Sequence, residues 1–219
     1  VFQCDPLQAG QYLCDAMGRR TTSTVGYSLI FDNRDNRIRP TRGHSFTISQ
    51  DFAGLGGSVK YLRNRISADK YWPLGGGFIF SLRGEAGYMK SFEKSRSASS
   101  DPIRLVDRFF LGEPQMRGFD IRGVGPRIVR QYYQADGTLD TNRDNWQDDA
   151  LGGRAYYLGH AEIEIPLGAG ARDMGLRPSI FADIGAVWGV RRPTAANGGL
   201  IDIPNGISTC VDETTGVVT

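Results

Sequence analysis

Between Phe78 and Tyr88 the side chains alternate in chemical character. Phe78, Phe80, Leu82, Ala86 and Tyr88 fall on one side, and Ser81, Arg83, Glu85 and Gly87 on the other. A period of two is the signature of a β-strand. Burying Arg83 and Glu85 in a dry core is too costly without partners, so one face of this strand must meet water or polar groups. The pattern recurs. Val25, Tyr27, Leu29 and Phe31 oppose Gly26, Ser28 and Asp32, with Ile30 the exception, and Phe46, Ile48 and Phe52 oppose Ser45, Thr47, Ser49 and Asp51. Tyr157, Ala161, Ile163, Ile165 and Leu167 oppose His160, Glu162 and Glu164; Ile180, Ala182, Ile184, Ala186 and Trp188 oppose Phe181, Asp183, Gly185 and Val187. With the extended stretch from Val59 to Trp72, the sequence predicts six strands joined as antiparallel neighbours. Most exceed the usual five or six residues.

Strands this long, each with one apolar face, suit a membrane better than a β-sandwich, whose apolar faces must meet each other. Long connections alternate with short ones, as in outer-membrane barrels. Tyr71, Trp72, Tyr88 and Trp188 near strand ends fit an aromatic girdle. Six strands do not close a bacterial single-chain barrel, which needs about eight or more in even number. The fold expected is therefore all-β, a piece of a larger antiparallel transmembrane β-barrel. A mean hydropathy of −0.34 is compatible with this, because alternation keeps a barrel's average polar. No apolar run approaches the roughly 20 residues of a transmembrane helix. No charged-then-apolar leader opens the chain, so it is not expected to be the start of a secreted precursor. A formal net charge of +2 creates no field that would recruit nucleic acid.

Catalytic and metal chemistry find little support. His44 and His160 lie far apart, no CxxC occurs, and no GxSxG, Walker or HExxH motif is present. No metal, cofactor or catalytic residue is expected. Of the three cysteines, Cys4 and Cys14 flank a short turn-rich stretch. A disulfide between them, implying an oxidising compartment, is expected over two free thiols.

The connection from Ser91 to Gly153 is too long for a plain loop, and such loops are functional or disordered. Its segment Asp107 to Arg127 carries Phe109, Phe110, Leu111, Met116 and Phe119, and its charges are spaced single residues, with Arg117 held between apolar neighbours. An apolar, arginine-centred loop needs a place to bury. The polar faces offer Glu162 and Asp183 on what should be neighbouring strands. Two close carboxylates repel unless a cation lies between them, and a guanidinium can bridge both. Phe119 beside Arg117 is expected to add a packed aromatic, cation–π contact.

The segment Gln115-Met116-Arg117-Gly118-Phe119, within RFFLGEPQMRGFDIRGVGPR, resembles the Arg-Gly-Phe/Tyr loop of the BamA family, the central subunits of the barrel-assembly machinery. GYSLIFDNRDNRIRPTRG, FTISQDFAGLGGSVKYLR, AEIEIPLG and RPSIFADIGAVWG are similar to that family in the expected order, so the likeness covers about residues 25–190. It implies a sixteen-stranded outer-membrane barrel preceded by POTRA domains, which are absent here. The six strands would be the eighth to thirteenth. Residues 1–23 would be an extracellular loop, 25–90 four strands, 91–153 a loop folded into the lumen, 154–190 two strands and 191–219 a further extracellular loop. The resemblance implies a non-enzymatic factor in the outer membrane of a Gram-negative bacterium that inserts β-barrel proteins. Its partners would be nascent barrel proteins, accessory lipoproteins and outer-membrane lipid, not nucleic acid. Met116, Arg117, Gly118 and Phe119 would be the loop lock, with Glu162 and Asp183 its acidic partners. A TamA-like or two-partner-secretion transporter is the close alternative, and a diffusion porin a more distant one.

Overall fold

The structure is a computed structural model that describes residues 14, 16–94, 101–130, 138, 141–167, 176–190 and 206–208. Its frame is a six-stranded antiparallel sheet. The strands are β1 (Thr24–Asp32), β2 (Gly43–Ala53), β3 (Tyr61–Gly75), β4 (Phe78–Ser91), β7 (Ala155–Glu164) and β8 (Ser179–Trp188). Each pairs with the next in that order, leaving β1 and β8 as open edges. The expected all-β class, its six long strands and their failure to close are all present. β3 runs through Pro73 to Gly75, with a register irregularity there, so the turn is shorter than the expected Pro73–Gly77 stretch.

Register turns the alternation into two faces. On one, a row of cross-strand partners reads Leu29, Ile48, Ile66, Ala86, Tyr157 and Ala186, and another ends in Trp72, Phe80, Ile163 and Ile180. These apolar side chains are uncovered: Leu29 is 64% exposed and Ile180 67%. The other face carries Ser49, Arg65 and Gly87 in one row, and Asp69, Arg83, His160 and Asp183 in another. Tyr71 belongs to this polar face, where its hydroxyl accepts from Arg83 at 3.3 Å. It is therefore not a girdle residue; Trp72, one step along the pleat, points to the apolar side and stacks on Phe80.

The long connection is not featureless. It holds β5 (Arg127–Arg130) and β6 (Gln147–Ala150), which pair with each other, while β9 (Gly206–Ser208) adds in parallel to β5. Strands of three or four residues are too short to show a period, which is why the sequence shows none of them. The packed core lies between residues 101–130 and the polar face. Ile103, Phe109, Leu111 and Met116 cluster with Met89, Tyr156, Leu158 and Val187. Gly87 makes that approach possible, because a Cβ there would collide with Tyr156 and crowd Phe109.

The ends of the connection are pinned by buried charge. Arg108 donates to the Ile103 and Leu151 carbonyls at 3.2 and 3.0 Å, and lies 3.5 Å from Asp101. Arg154 reaches the same carboxylate at 3.7 Å and donates to the Gly189 carbonyl at 2.6 Å. Cys14 is disulfide-bonded, whereas Cys4 lies outside the described residues.

Candidate functional site: the arginine bridge between loop and sheet

Arg117 stands in the loop, over the polar face of β7 and β8. Alternation puts Glu162 and Asp183 on that face, diagonally placed on adjacent strands, since His160 rather than Glu162 is the direct partner of Asp183. The guanidinium spans the diagonal. Its Nε and Nη2 donate to the two Asp183 carboxylate oxygens at 2.8 and 2.7 Å, and its Nη1 donates to Glu162 Oε2 at 3.1 Å. The Arg117 backbone N–H adds a fourth bond, to Asp183 Oδ2 at 3.3 Å. A fork-to-fork pair of this kind fixes both position and orientation. Hydrogen bonding to Asp183, opposed by burial and supported by Glu162, pushes the Arg117 pKa above its already high value. The group is a cation at every accessible pH.

The Asp183 side chain is 4% exposed, while those of Arg117 and Glu162 are each 35% exposed. His160 Nδ1 lies 2.8 Å from Asp183 Oδ1, making the imidazole a further partner for the same carboxylate. Beneath the guanidinium lies the ring of Phe181, with 3.5 Å between the Arg117 Cζ and the ring centroid. The ring under Arg117 is thus Phe181 and not the expected Phe119, which is 45% exposed. Gly118 is in the left-handed region (φ 82°) with open space where a Cβ would be, so it is the turn of the chain that calls for glycine there. Met116 is buried, its sulfur against Gly185 of β8.

Beside the bridge is a cavity of about 330 Å³ lined by Ser81, Arg83, Glu85, Gln115 and His160 among others. Its charged groups are engaged with the protein. Arg83 pairs with Asp69 at 2.9 Å, and Glu85 accepts from the Tyr156 hydroxyl, beside Arg65 at 3.4 Å. Among the described residues, no group of three or more His, Cys, Asp or Glu comes together to hold a metal. The arrangement fastens a loop to the sheet, engaging all three guanidinium nitrogens of Arg117 and both Asp183 oxygens.

Of the residues singled out in the sequence, Met116, Arg117, Glu162 and Asp183 are brought together. Gly118 shapes the turn, Phe119 stays outside the contact, and Cys4 is outside the described residues. His160 and Phe181 were not singled out. Both lie on the polar face of strands already assigned, within two residues of the acidic pair, which is the signal that could have found them.

The sequence profile of the Omp85 superfamily domain matches residues 3–203. The chain belongs to the Omp85 superfamily. Relatives include the outer membrane protein assembly factor BamA of Neorickettsia risticii, 32% identical over 79% of this chain and 20% of that protein. The sorting and assembly machinery component 50 homolog of Mus musculus is 28% identical over 68% of this chain and 27% of that protein. This Omp85 chain thus spans about a fifth to a quarter of their length. In fold it matches the crystal structure of BamA from Haemophilus ducreyi lacking POTRA domains 1–3, with a TM-score of 0.58 and 23% identity, covering 76% of this chain and 30% of that one.

Proposed function

We propose that these residues are the middle of an outer-membrane barrel whose protein folds and inserts other β-barrel proteins, acting as a non-enzymatic assembly factor. The bridge from Arg117 to Glu162 and Asp183 carries the reading: it holds the long loop against the polar face, which would line the lumen. The uncovered apolar face would then meet lipid, as the alternation of a barrel requires. Residues 1–23 and 191–219 would lie on the extracellular side, 91–153 would enter from that side and fold into the lumen, and the turns at 33–42, 76–77 and 165–178 would lie on the periplasmic side.

The likeness to a bacterial BamA supports a Gram-negative outer membrane, with nascent barrel proteins and accessory lipoproteins as partners. The likeness to component 50 homologs supports the same chemistry in a mitochondrial outer membrane as the second reading. A diffusion porin fits poorly, since its channel has no use for a packed apolar loop. The test is reconstitution of the full-length protein in liposomes, following the folding of an unfolded outer-membrane barrel substrate. Faster appearance of protease-resistant substrate than in empty liposomes is expected. No acceleration, together with an open ion conductance, would refute the assignment in favour of a pore.

A further inference from the structure

The apolar face has a hollow that the chain itself does not explain. One cross-strand row across β2, β3, β4, β7 and β8 reads Phe46, Ala68, Gly84, Gly159 and Ile184. Three small residues stand side by side between two bulky ones. Gly84 sits in regular pairing, away from the irregularity near Pro73. Its φ is not in the left-handed region, and a Cβ at this position would meet no atom within 4 Å. Neither backbone conformation nor crowding inside the protein calls for glycine. A glycine within a strand weakens it, and marks a place where something else approaches closely. The space left open has a volume of about 640 Å³, walled by Phe46, Ala68, Leu82 and Gly159 with His44 and Lys70 at one edge.

Lys70 is the second observation. It lies on the apolar side of β3, two residues from Ala68, with its ammonium 5.7 Å from the centroid of the Trp72 ring. That ammonium forms no ion pair with any described residue, whereas Arg65, Arg83 and Arg117 on the polar face all have carboxylate partners. A lysine beside a tryptophan on a lipid-facing surface marks the headgroup level, where its stem lies along apolar surface and its charge reaches outward. Lipid solvation alone would be served as well by a valine at position 84 and by a neutral residue at position 70. An unpaired cation next to an empty apolar slot complements a lipid that carries net negative charge.

We propose that this hollow binds one anionic phospholipid, its acyl chain laid over Ala68, Gly84 and Gly159 and its phosphate on the Lys70 ammonium. The inference rests on the apolar face being lipid-facing. A zwitterionic headgroup is a weaker ligand, because its own ammonium competes with Lys70 for the phosphate.

The full-length protein, purified in mild detergent, is exposed to phosphatidylglycerol or phosphatidylethanolamine, and retained lipid is counted by native mass spectrometry. Wild type and Lys70→Arg should keep one phosphatidylglycerol. Lys70→Gln should keep it about fivefold less, as expected for loss of one headgroup-level charge contact, and Gly84→Val should reduce it to a similar degree by filling the acyl slot. Phosphatidylethanolamine should be retained weakly by all four. The heat-modifiable electrophoretic mobility of a folded barrel is read on the same samples. A protein without it would overturn the barrel reading itself. A folded barrel overturns the lipid site alone if wild type retains no phosphatidylglycerol, if either disrupting variant keeps it as wild type does, if Lys70→Arg loses it, or if phosphatidylethanolamine binds equally well.

Discussion

Asp183 accepts from the Arg117 side chain, from the Arg117 backbone and from His160 while almost fully buried. Taking away the guanidinium leaves that buried carboxylate with only the backbone N–H of residue 117 and the imidazole as partners among the described residues. Arg117→Ala should therefore destabilise the full-length barrel by about 2–4 kcal/mol, within the range for breaking a buried pair from one side. Arg117→Lys should recover only part of this, since a single ammonium does not reproduce the two-pronged bond. Glu162→Gln removes a partner that is a third exposed, and should cost about 1 kcal/mol or less. Thermal or urea unfolding, followed by loss of heat-modifiable mobility, ranks the three. A Glu162→Gln loss equal to that of Arg117→Ala would contradict the unequal sharing of the bridge.

Two glycines on β4 show how differently one strand uses the same residue. A side chain at Gly87 would run into Tyr156 and Phe109, whereas one at Gly84 would meet nothing. Gly87→Ala should destabilise by about 1–3 kcal/mol through overpacking. Gly84→Ala should stabilise by about 0.5–1 kcal/mol, because a strand-interior glycine loses more freedom on folding. The same unfolding assay reads both, and equal signs would contradict the packing described. The turn between β1 and β2 carries the pH-dependent element. Asp35 accepts from the Thr41 hydroxyl and N–H and from the Arg42 N–H, and the Thr41 hydroxyl most of all holds its carboxyl down at about 2. Because the folded value lies below the unfolded one, its stabilisation is present above about pH 4 and is lost as pH falls toward 2. Hydrogen exchange should show protection of the Thr41 and Arg42 amides declining over that window in wild type, and already reduced at pH 7 in Asp35→Ala. Protection independent of both pH and Asp35 would refute this origin of the turn's order.

At the scale of the whole molecule, what the sequence discloses is what the pleat encodes. Period two separated Leu29 and Ile184 from Arg83 and Asp183, and so disclosed both faces before any pairing was known. Arg117, between apolar neighbours in its loop and set against two carboxylates on adjacent strands, was legible as a group needing a counter-charge. Contacts that follow no period were not legible. The Arg108–Asp101–Arg154 cluster joins residues with no recurrent spacing. The ring under Arg117 is Phe181 from a distant strand rather than its near neighbour Phe119, because facing across the sheet outweighs closeness along the chain. Tyr71 and Trp72 differ by one residue and therefore face opposite sides.

The turn at Arg117 docks the long loop on the polar face of the sheet, which in the proposed barrel is the lumen side. Met116 is buried with its sulfur against Gly185, on the strand that carries Asp183. The direct measurement is the accessibility of Met116→Cys to a membrane-impermeant maleimide in the full-length, membrane-embedded protein with its other cysteines removed, with Phe119→Cys as the exposed reference. In a barrel that keeps its heat-modifiable mobility, Met116→Cys should label far more slowly than Phe119→Cys. A folded barrel in which the two label equally fast would show that the loop is not docked on the sheet.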